Sequence, residues 1–199
     1  MERIEMFRRL EGRQFVLASG SPRRRELLAL LGADFVVDLP CDVCEVYDPA
    51  TPAEDVPLVL AGLKADAYRA AGCGADKVVV CADTVVIVDG CVLGKPADAS
   101  GAREMLRRLS GRSHRVVTGV VVMSGDKVLR GSEITEVEFD TLTDAEIDYY
   151  VDRYRPFDKA GAYGIQEWIG CIGIKGIRGD YYNVMGLPLH LLYGMLGNV

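Results

Sequence analysis

Histidine is scarce in this chain of 199 residues, which carries only His114 and His190. Two histidines argue against a His-rich metal site and against a nucleophilic triad built on histidine. The chain also lacks an apolar stretch long enough to span a membrane. Residues 1–14 are charged throughout and lack the apolar core of a signal peptide. We therefore expect no membrane contact and a cytoplasmic location.

Positive charge is in deficit, with 23 lysines and arginines against 29 aspartates and glutamates and a formal net charge of −6. A general nucleic-acid-binding protein needs a basic field, so this balance argues against nucleic acid as a partner. Of six cysteines only Cys41 and Cys44 form a C-x-x-C pair, and neither a second pair nor a nearby histidine completes a zinc site. We expect reduced cytosolic thiols, with a redox role for the pair as the alternative.

The remaining composition, 49% hydrophobic and 26% charged residues, is ordinary for a soluble α/β protein. The length suffices for one substantial core or for two lobes that share a sheet. No linker, repeat or low-complexity segment divides the chain. We predict one domain over residues 1–199, an α/β unit with a long sheet split by a cleft.

Local patterns predict an alternation of strands and helices. The predicted strands are Phe15–Ala18, Phe35–Asp38, Val78–Ala82, Val85–Val88, Cys91–Leu93, Arg115–Met123 and Val128–Phe139. The predicted helices begin at Pro22 or cover Pro52–Ala71, Ala102–Leu109 and 143–154. Asp89-Gly90 is a strong hairpin signal, Ser100 is a candidate helix cap, and Thr143 with Glu146 fits a capping box.

A basic turn follows the first predicted strand. Ser21 suits the N-cap of a helix and Pro22 its first position, where the missing N–H is harmless. The helix dipole disfavours cations there, yet Arg23, Arg24 and Arg25 come next. A phosphate would resolve the conflict, because free N–H groups, the dipole and the guanidinium groups all favour an anion. The alternative is a solvated basic turn on a surface helix.

Asp83 interrupts a run of apolar residues between Val78 and Val88. Aspartate is depleted in strands, and burying an unpaired carboxylate is unfavourable. Asp83 must therefore begin a turn, pair with a cation or hold a metal. Beside a phosphate site it becomes a candidate metal ligand or water-activating base.

Other polar residues are weaker candidates singly. Pro96 fixes the loop that carries Lys95, while Glu45 and Lys64 are unremarkable alone. In Lys159–Gln166, two glycines and two alanines allow a close backbone approach to a ligand, and the Gln166 amide offers both a donor and an acceptor for a base edge.

Taken together, these segments resemble the Maf family, the septum-formation-inhibitor-like nucleoside triphosphate pyrophosphatases. The resemblance covers residues 15–192 and rests on six segments in order: Ser19–Arg24, Ala82–Thr84, Gly94–Pro96, Leu109–His114, Lys159–Gln166 and Gly179–Leu189. It implies a fold related to the inosine triphosphatase group, a long mixed sheet with two lobes around a nucleotide cleft. It also implies cleavage of a nucleoside triphosphate between the α- and β-phosphates with Mg²⁺ or Mn²⁺, and a homodimer.

By the same resemblance, Asp83 matches the proton acceptor, and Glu45 with Asp83 would hold the metal. Positions around the phosphates and the base match at Ser19, Arg23, Arg24, Lys64, Thr84, Lys95, Lys159 and Gln166. Arg23, Thr84 and Gln166 resemble the dTTP/UTP branch rather than the branch that acts on 7-methyl-GTP. Other triphosphate preferences, including CTP, and a non-catalytic nucleotide sensor that affects cell division remain as alternatives.

One departure from the family concerns the metal. The family often has two adjacent acidic residues where this chain has Cys44-Glu45. A supporting carboxylate is then missing unless Asp42 replaces it. The fold does not depend on this position.

Overall fold

A computed structural model of the chain describes residues 4–39, 43–72 and 76–199. A mixed sheet runs through this part of the chain in the order β2-β1-β3-β5-β6-β7, with β4 also paired to β3. Its strands are β1 (Gln14–Leu17), β2 (Val36–Val37), β3 (Lys77–Val88), β4 (Cys91–Leu93), β5 (Ser113–Ser124), β6 (Lys127–Phe139) and β7 (Ile174–Arg178). Strands β2, β1 and β3 pair in parallel and the others antiparallel, which confirms the predicted mixed sheet.

Helices cover both faces of this sheet. They are α1 (Glu5–Leu10), α2 (Pro22–Ala29), α3 (Val56–Ala70), α4 (Ala99–Leu109), α5 (Asp144–Tyr154), α6 (Trp168–Gly173), α7 (Tyr181–Met185) and α8 (Leu189–Leu196), with a 3₁₀ turn at Ala160–Ala162. The predicted Ser21 cap of α2 and the Thr143 capping box of α5 are confirmed. The predicted Ser100 cap is wrong, because the Asp98 side chain accepts from the Gly101 amide and α4 begins earlier.

The strand prediction around Asp83 is also corrected. The two predicted strands are one continuous strand, β3, in which Asp83 pairs with Gly119 of β5 and Thr84 with Thr118. A side chain on Gly119 would overlap the backbone of Leu58, so the glycine lets the start of α3 lie directly against β5. This close approach brings α3, and Lys64 on it, over the middle of β3.

The core lies on both sides of the sheet. Leu27 and Leu28 of α2 pack with Leu192 and Leu196 of α8 in one cluster. A second cluster joins α4, α5 and α6 through residues such as Leu106 and Ile147, and two smaller clusters lie beneath α3. Full burial of one such leucine contributes roughly 1.5–3 kcal/mol. These clusters hold rigid the elements that border the cavity described next.

His114 belongs to this core rather than to a site. Its Nε2 lies 2.7 Å from the Tyr163 hydroxyl, and its ring packs against Phe139 and Tyr163. Burial lowers the pKa of His114 to about 4, so the ring is neutral at pH 7. Within the described residues, no helix is both long and apolar enough to cross a membrane.

Candidate functional site

A cavity of about 910 Å³ opens along β3 and is bordered by α2, α3 and the segments 94–95, 158–166 and 184–186. Such a volume suits a small-molecule ligand. Ten of the residues singled out from the sequence line it: Ser19, Arg23, Arg24, Glu45, Lys64, Asp83, Thr84, Lys95, Lys159 and Gln166. The fold therefore brings together positions that are up to 147 residues apart in the chain.

Arg24 is turned inward from the start of α2. Its guanidinium donates to the Gly186 carbonyl at 2.9 Å, the Thr84 hydroxyl at 3.0 Å and the Ser19 hydroxyl at 3.2 Å. Burial lowers the pKa of Arg24, and the Asp83 carboxylate opposes that effect. A guanidinium has five N–H donors, so two remain for an anion in the cavity. This arrangement argues against the solvated basic turn.

Arg23 points along the other side of the cavity, where it binds Asp158. Its Nη1 lies 2.5 Å from Asp158 Oδ2, while Asp158 Oδ1 accepts from Lys159 Nζ at 2.9 Å. Desolvation raises the pKa of Asp158, but the hydrogen bonds from Arg23 and Lys159 outweigh it and lower the pKa to about 2. One carboxylate thus holds two of the predicted phosphate-binding cations in place.

Asp83 and Glu45 meet at Lys64. The Lys64 ammonium lies 2.5 Å from Asp83 Oδ1 and 3.0 Å from Glu45 Oε1, so two carboxylates from separate segments already converge on one cation. Carboxylate oxygens suit Mg²⁺, which commonly takes one or two of them together with substrate phosphates. The donor set therefore fits such an ion. Asp42, the proposed replacement carboxylate, lies outside the described residues.

Three or more metal-binding side chains do not cluster anywhere in the described residues. These residues would accordingly supply only part of a coordination shell, and phosphate oxygens would have to supply more. Cys41 of the C-x-x-C pair lies outside the described residues. Cys44, Cys81, Cys91 and Cys171 are free thiols, and burial raises the pKa of Cys81 to about 12.

Lys95 and Gln166 are exposed at the cavity. Among the described residues neither side chain has a hydrogen-bond or ion-pair partner, so both are free to contact a ligand. Gly164 lines the cavity, and the two glycines near Gln166 also lie close to neighbouring protein. A Cβ on Gly161, whose φ is 67°, would lie 2.9 Å from Val86, and one on Gly164 would lie 3.0 Å from the Glu167 carboxyl carbon. Both glycines therefore also serve the packing of the protein itself.

The sequence did not single out several residues that shape the site. Thr118 bonds the Thr84 hydroxyl at 2.9 Å, and the Gly186 carbonyl accepts from Arg24. Asp158 and Glu167 flank the predicted Lys159–Gln166 segment and both contact Lys159. The sequence could have pointed to these two acids, because they directly flank the predicted segment. It could not have pointed to Thr118, because the role of that residue depends on strand register.

Comparison with known proteins agrees with the sequence resemblance. Residues 14–199 match the family described as Maf-like protein. A protein named dTTP/UTP pyrophosphatase from Porphyromonas gingivalis strain ATCC 33277 is 52% identical over 192 residues, which is 96% of each chain. Proteins of the same name from Bacteroides thetaiotaomicron and Phocaeicola vulgatus are 49% and 48% identical, and the alignments cover 96% and 94% of this chain and 98% and 97% of theirs. The chain therefore belongs to the Maf family.

Proposed function

We propose that this protein is a nucleoside triphosphate pyrophosphatase that hydrolyses dTTP and UTP to the monophosphate and pyrophosphate. The observation that carries the proposal is the cavity in which cations, a carboxylate pair and the free Gln166 amide converge. The relatives named dTTP/UTP pyrophosphatase support the same substrates.

Arg23, Arg24, Lys95 and Lys159 neutralise the polyphosphate. Attack on a phosphoryl group builds charge on its oxygens, and fixed cations stabilise that charge without reorganising. Arg24 is held by three protein acceptors and keeps two donors, while Lys95 is free at the rim. Arg23 is bound to the Asp158 carboxylate, and a substrate phosphate would replace that carboxylate as its partner.

Asp83 is the general base that takes a proton from the attacking water. Lys64 contacts its Oδ1, and the other oxygen, Oδ2, has no hydrogen-bond donor among the described residues. Oδ2 can therefore accept the proton, while Lys64 holds the carboxylate in orientation. A water oriented in this way needs no covalent nucleophile.

Glu45 and Asp83 are the residues that would hold Mg²⁺ or Mn²⁺. Such an ion would supply charge neutralisation at the phosphates. In the structure Lys64 lies between the two carboxylates and contacts both of them.

Gln166 reads the base. Its amide can donate to a carbonyl of uracil or thymine and accept from the ring N–H. Thr84 resembles the dTTP/UTP branch, and its hydroxyl also bonds Arg24 and Thr118, so it holds the phosphate-binding arginine. Specificity and phosphate binding are thus joined through Thr84.

Gln166→Glu is expected to impair the pyrimidine reaction, because the carboxylate loses the donor and adds charge near the polyphosphate. A site built on such hydrogen bonds discriminates strongly, since a wrong partner leaves polar groups unpaired. The measurement is kcat/KM for UTP, dTTP, CTP, GTP and 7-methyl-GTP on both proteins. A wild-type preference for purines, or an unchanged ranking in the variant, would remove Gln166 from this role.

We also propose a homodimer, supported by the family resemblance. Strand β7 is an edge strand with mostly exposed side chains, which leaves an edge open to further pairing. Light scattering across a wide concentration range should give twice the chain mass of 21.7 kDa. A monomer mass throughout that range would contradict the dimer.

A further inference from the structure

Glu167, the neighbour of Gln166, is a largely buried carboxylate that the reaction described above does not use. Its side chain is 20% exposed. Its Oε1 lies 3.1 Å from Lys159 Nζ, and its Oε2 accepts a hydrogen bond from the Tyr150 hydroxyl. Burying a carboxylate is unfavourable unless it is paired, and here both oxygens have partners.

These contacts close around the main chain of Gly164. The Gly164 amide donates to the Tyr150 hydroxyl at 3.0 Å, and the Glu167 amide donates to the Gly164 carbonyl at 3.0 Å. Burial, followed by the hydrogen bond with Glu167, raises the pKa of Tyr150, so the hydroxyl keeps its proton and remains a donor. Both polar groups of the Gly164 backbone are therefore bound by the Tyr150–Glu167 pair.

Packing holds the same segment from two sides. A Cβ on Gly164 would lie 3.0–3.2 Å from the Glu167 carboxyl group and Lys159 Cε. On the other side, a side chain on Gly170 of α6 would overlap the Ile165 carbonyl, so α6 lies directly against Ile165. Gln166, the next residue, is exposed at the cavity. Its backbone is fixed on both sides although its side chain is free.

Ion pairs connect this clamp, which consists of the Glu167 carboxylate and the Tyr150 hydroxyl, to Arg23 on the other side of the cavity. Arg23, Asp158, Lys159 and Glu167 follow one another as alternating positive and negative groups, joined at 2.5, 2.9 and 3.1 Å. Lys159 is only 8% exposed and lies between two carboxylates. Removing the Glu167 carboxylate would leave the positive charge of Lys159 balanced by Asp158 alone, and Asp158 is also bound to Arg23.

We propose that Glu167 is a positioning residue that, with Tyr150, fixes the backbone from which the Gln166 amide recognises the pyrimidine base. This inference rests on the proposed function. Glu167 itself touches neither the base nor the phosphates. It acts by holding the segment that carries Gln166 in one conformation, so that the side chain extends into the cavity from a fixed backbone before the nucleotide arrives.

The first test needs no substrate. Hydrogen exchange at the Gly164 amide is compared in the wild type, Glu167→Ala and Tyr150→Phe, with the exposed Glu138→Ala as the matched control. We expect exchange at least about tenfold faster in the first two variants and unchanged in the control. Glu167→Gln keeps an acceptor for Tyr150, so it should restore much of the protection. Unchanged exchange in Glu167→Ala would overturn the clamp.

The second test measures kcat and KM for UTP and dTTP. Glu167→Ala should raise KM about tenfold with kcat within about twofold, since uniform binding is lost rather than chemistry. Adding Glu167→Ala to Gln166→Ala should cause little further loss, because the clamp acts through Gln166. If the two substitutions instead act independently, so that their effects on KM multiply in the double variant, the proposal is overturned. If Glu167→Ala fails to fold, the KM of Tyr150→Phe decides, because this variant loses the hydroxyl that joins Glu167 to the Gly164 amide. An unchanged KM in Tyr150→Phe would count against the proposal.

The two tests distinguish a failure of this proposal from a failure of the proposed function on which it rests. A wild type that hydrolyses neither UTP nor dTTP would overturn the proposed function. Hydrogen exchange would still decide whether Glu167 holds the Gly164–Gln166 segment.

Discussion

Replacing Asp83 with asparagine is expected to lower kcat by about 10²–10⁴-fold, the range that a positioned general base contributes. Asparagine has the same shape but cannot take a proton from water. The contact with Lys64 survives in weakened form, because the amide oxygen can still accept from the ammonium now 2.5 Å from Oδ1. The side chain is largely buried at 14% exposure, so thermal melting and circular dichroism must show an intact fold.

Asp66→Asn is the matched control for this substitution. Asp66 lies on α3 two residues from Lys64, and its side chain is 66% exposed. The control removes the same charge from the same region and should leave kcat nearly unchanged. A folded Asp83→Asn protein with near-normal turnover would contradict the assignment of the base.

Arg24→Lys should lower kcat/KM by tenfold or more, which corresponds to about 1.4 kcal/mol or greater in transition-state stabilisation. Lysine keeps the charge but not the planar group. One ammonium cannot reach Ser19, Thr84 and the Gly186 carbonyl together and still present donors to a phosphate. Steady-state kinetics with UTP and dTTP measure the loss.

Arg25→Lys provides the control, since Arg25 is the next residue of the same helix and is exposed. It should leave kcat/KM unchanged. Full activity in Arg24→Lys would show that guanidinium geometry is irrelevant at that position. Full activity in Arg24→Ala as well would favour the alternative interpretation, in which the segment is a basic turn that binds no phosphate.

Much of the local structure could be predicted because its causes are local. The Asp89-Gly90 hairpin needs two residues with positive φ, and the structure has φ of 51° and 73° there. The capping box of α5 likewise lies within four residues. The error at Asp83 had a distant cause. The strand continues because β5 pairs with it at Asp83, and the carboxylate pairs with Lys64, 19 residues away, a cation pairing that the sequence left open.

In the candidate site, too, features with local causes could be predicted and features with distant causes could not. Its lining residues could be named because they lie in recognisable segments, and the structure brings them to one cavity. The contacts that hold them could not be named. Asp158 binds Arg23 across 135 residues and Thr118 binds Thr84 across 34, through tertiary packing and strand register. That the glycines at 161 and 164 let the backbone approach a ligand stays a prediction, and only the fold shows that their protein neighbours include Val86 and Glu167.

Hydrolysis of pyrimidine triphosphates at the α–β bond is tested most directly by following both products together with Mg²⁺ and with Mn²⁺. UTP and dTTP should each give monophosphate and pyrophosphate in equal amounts, with kcat/KM at least about tenfold above that for ATP, GTP and 7-methyl-GTP. Release of nucleoside diphosphate and phosphate would contradict attack at the α-phosphorus. Nucleotide binding without either product would contradict the enzyme altogether and favour a nucleotide sensor.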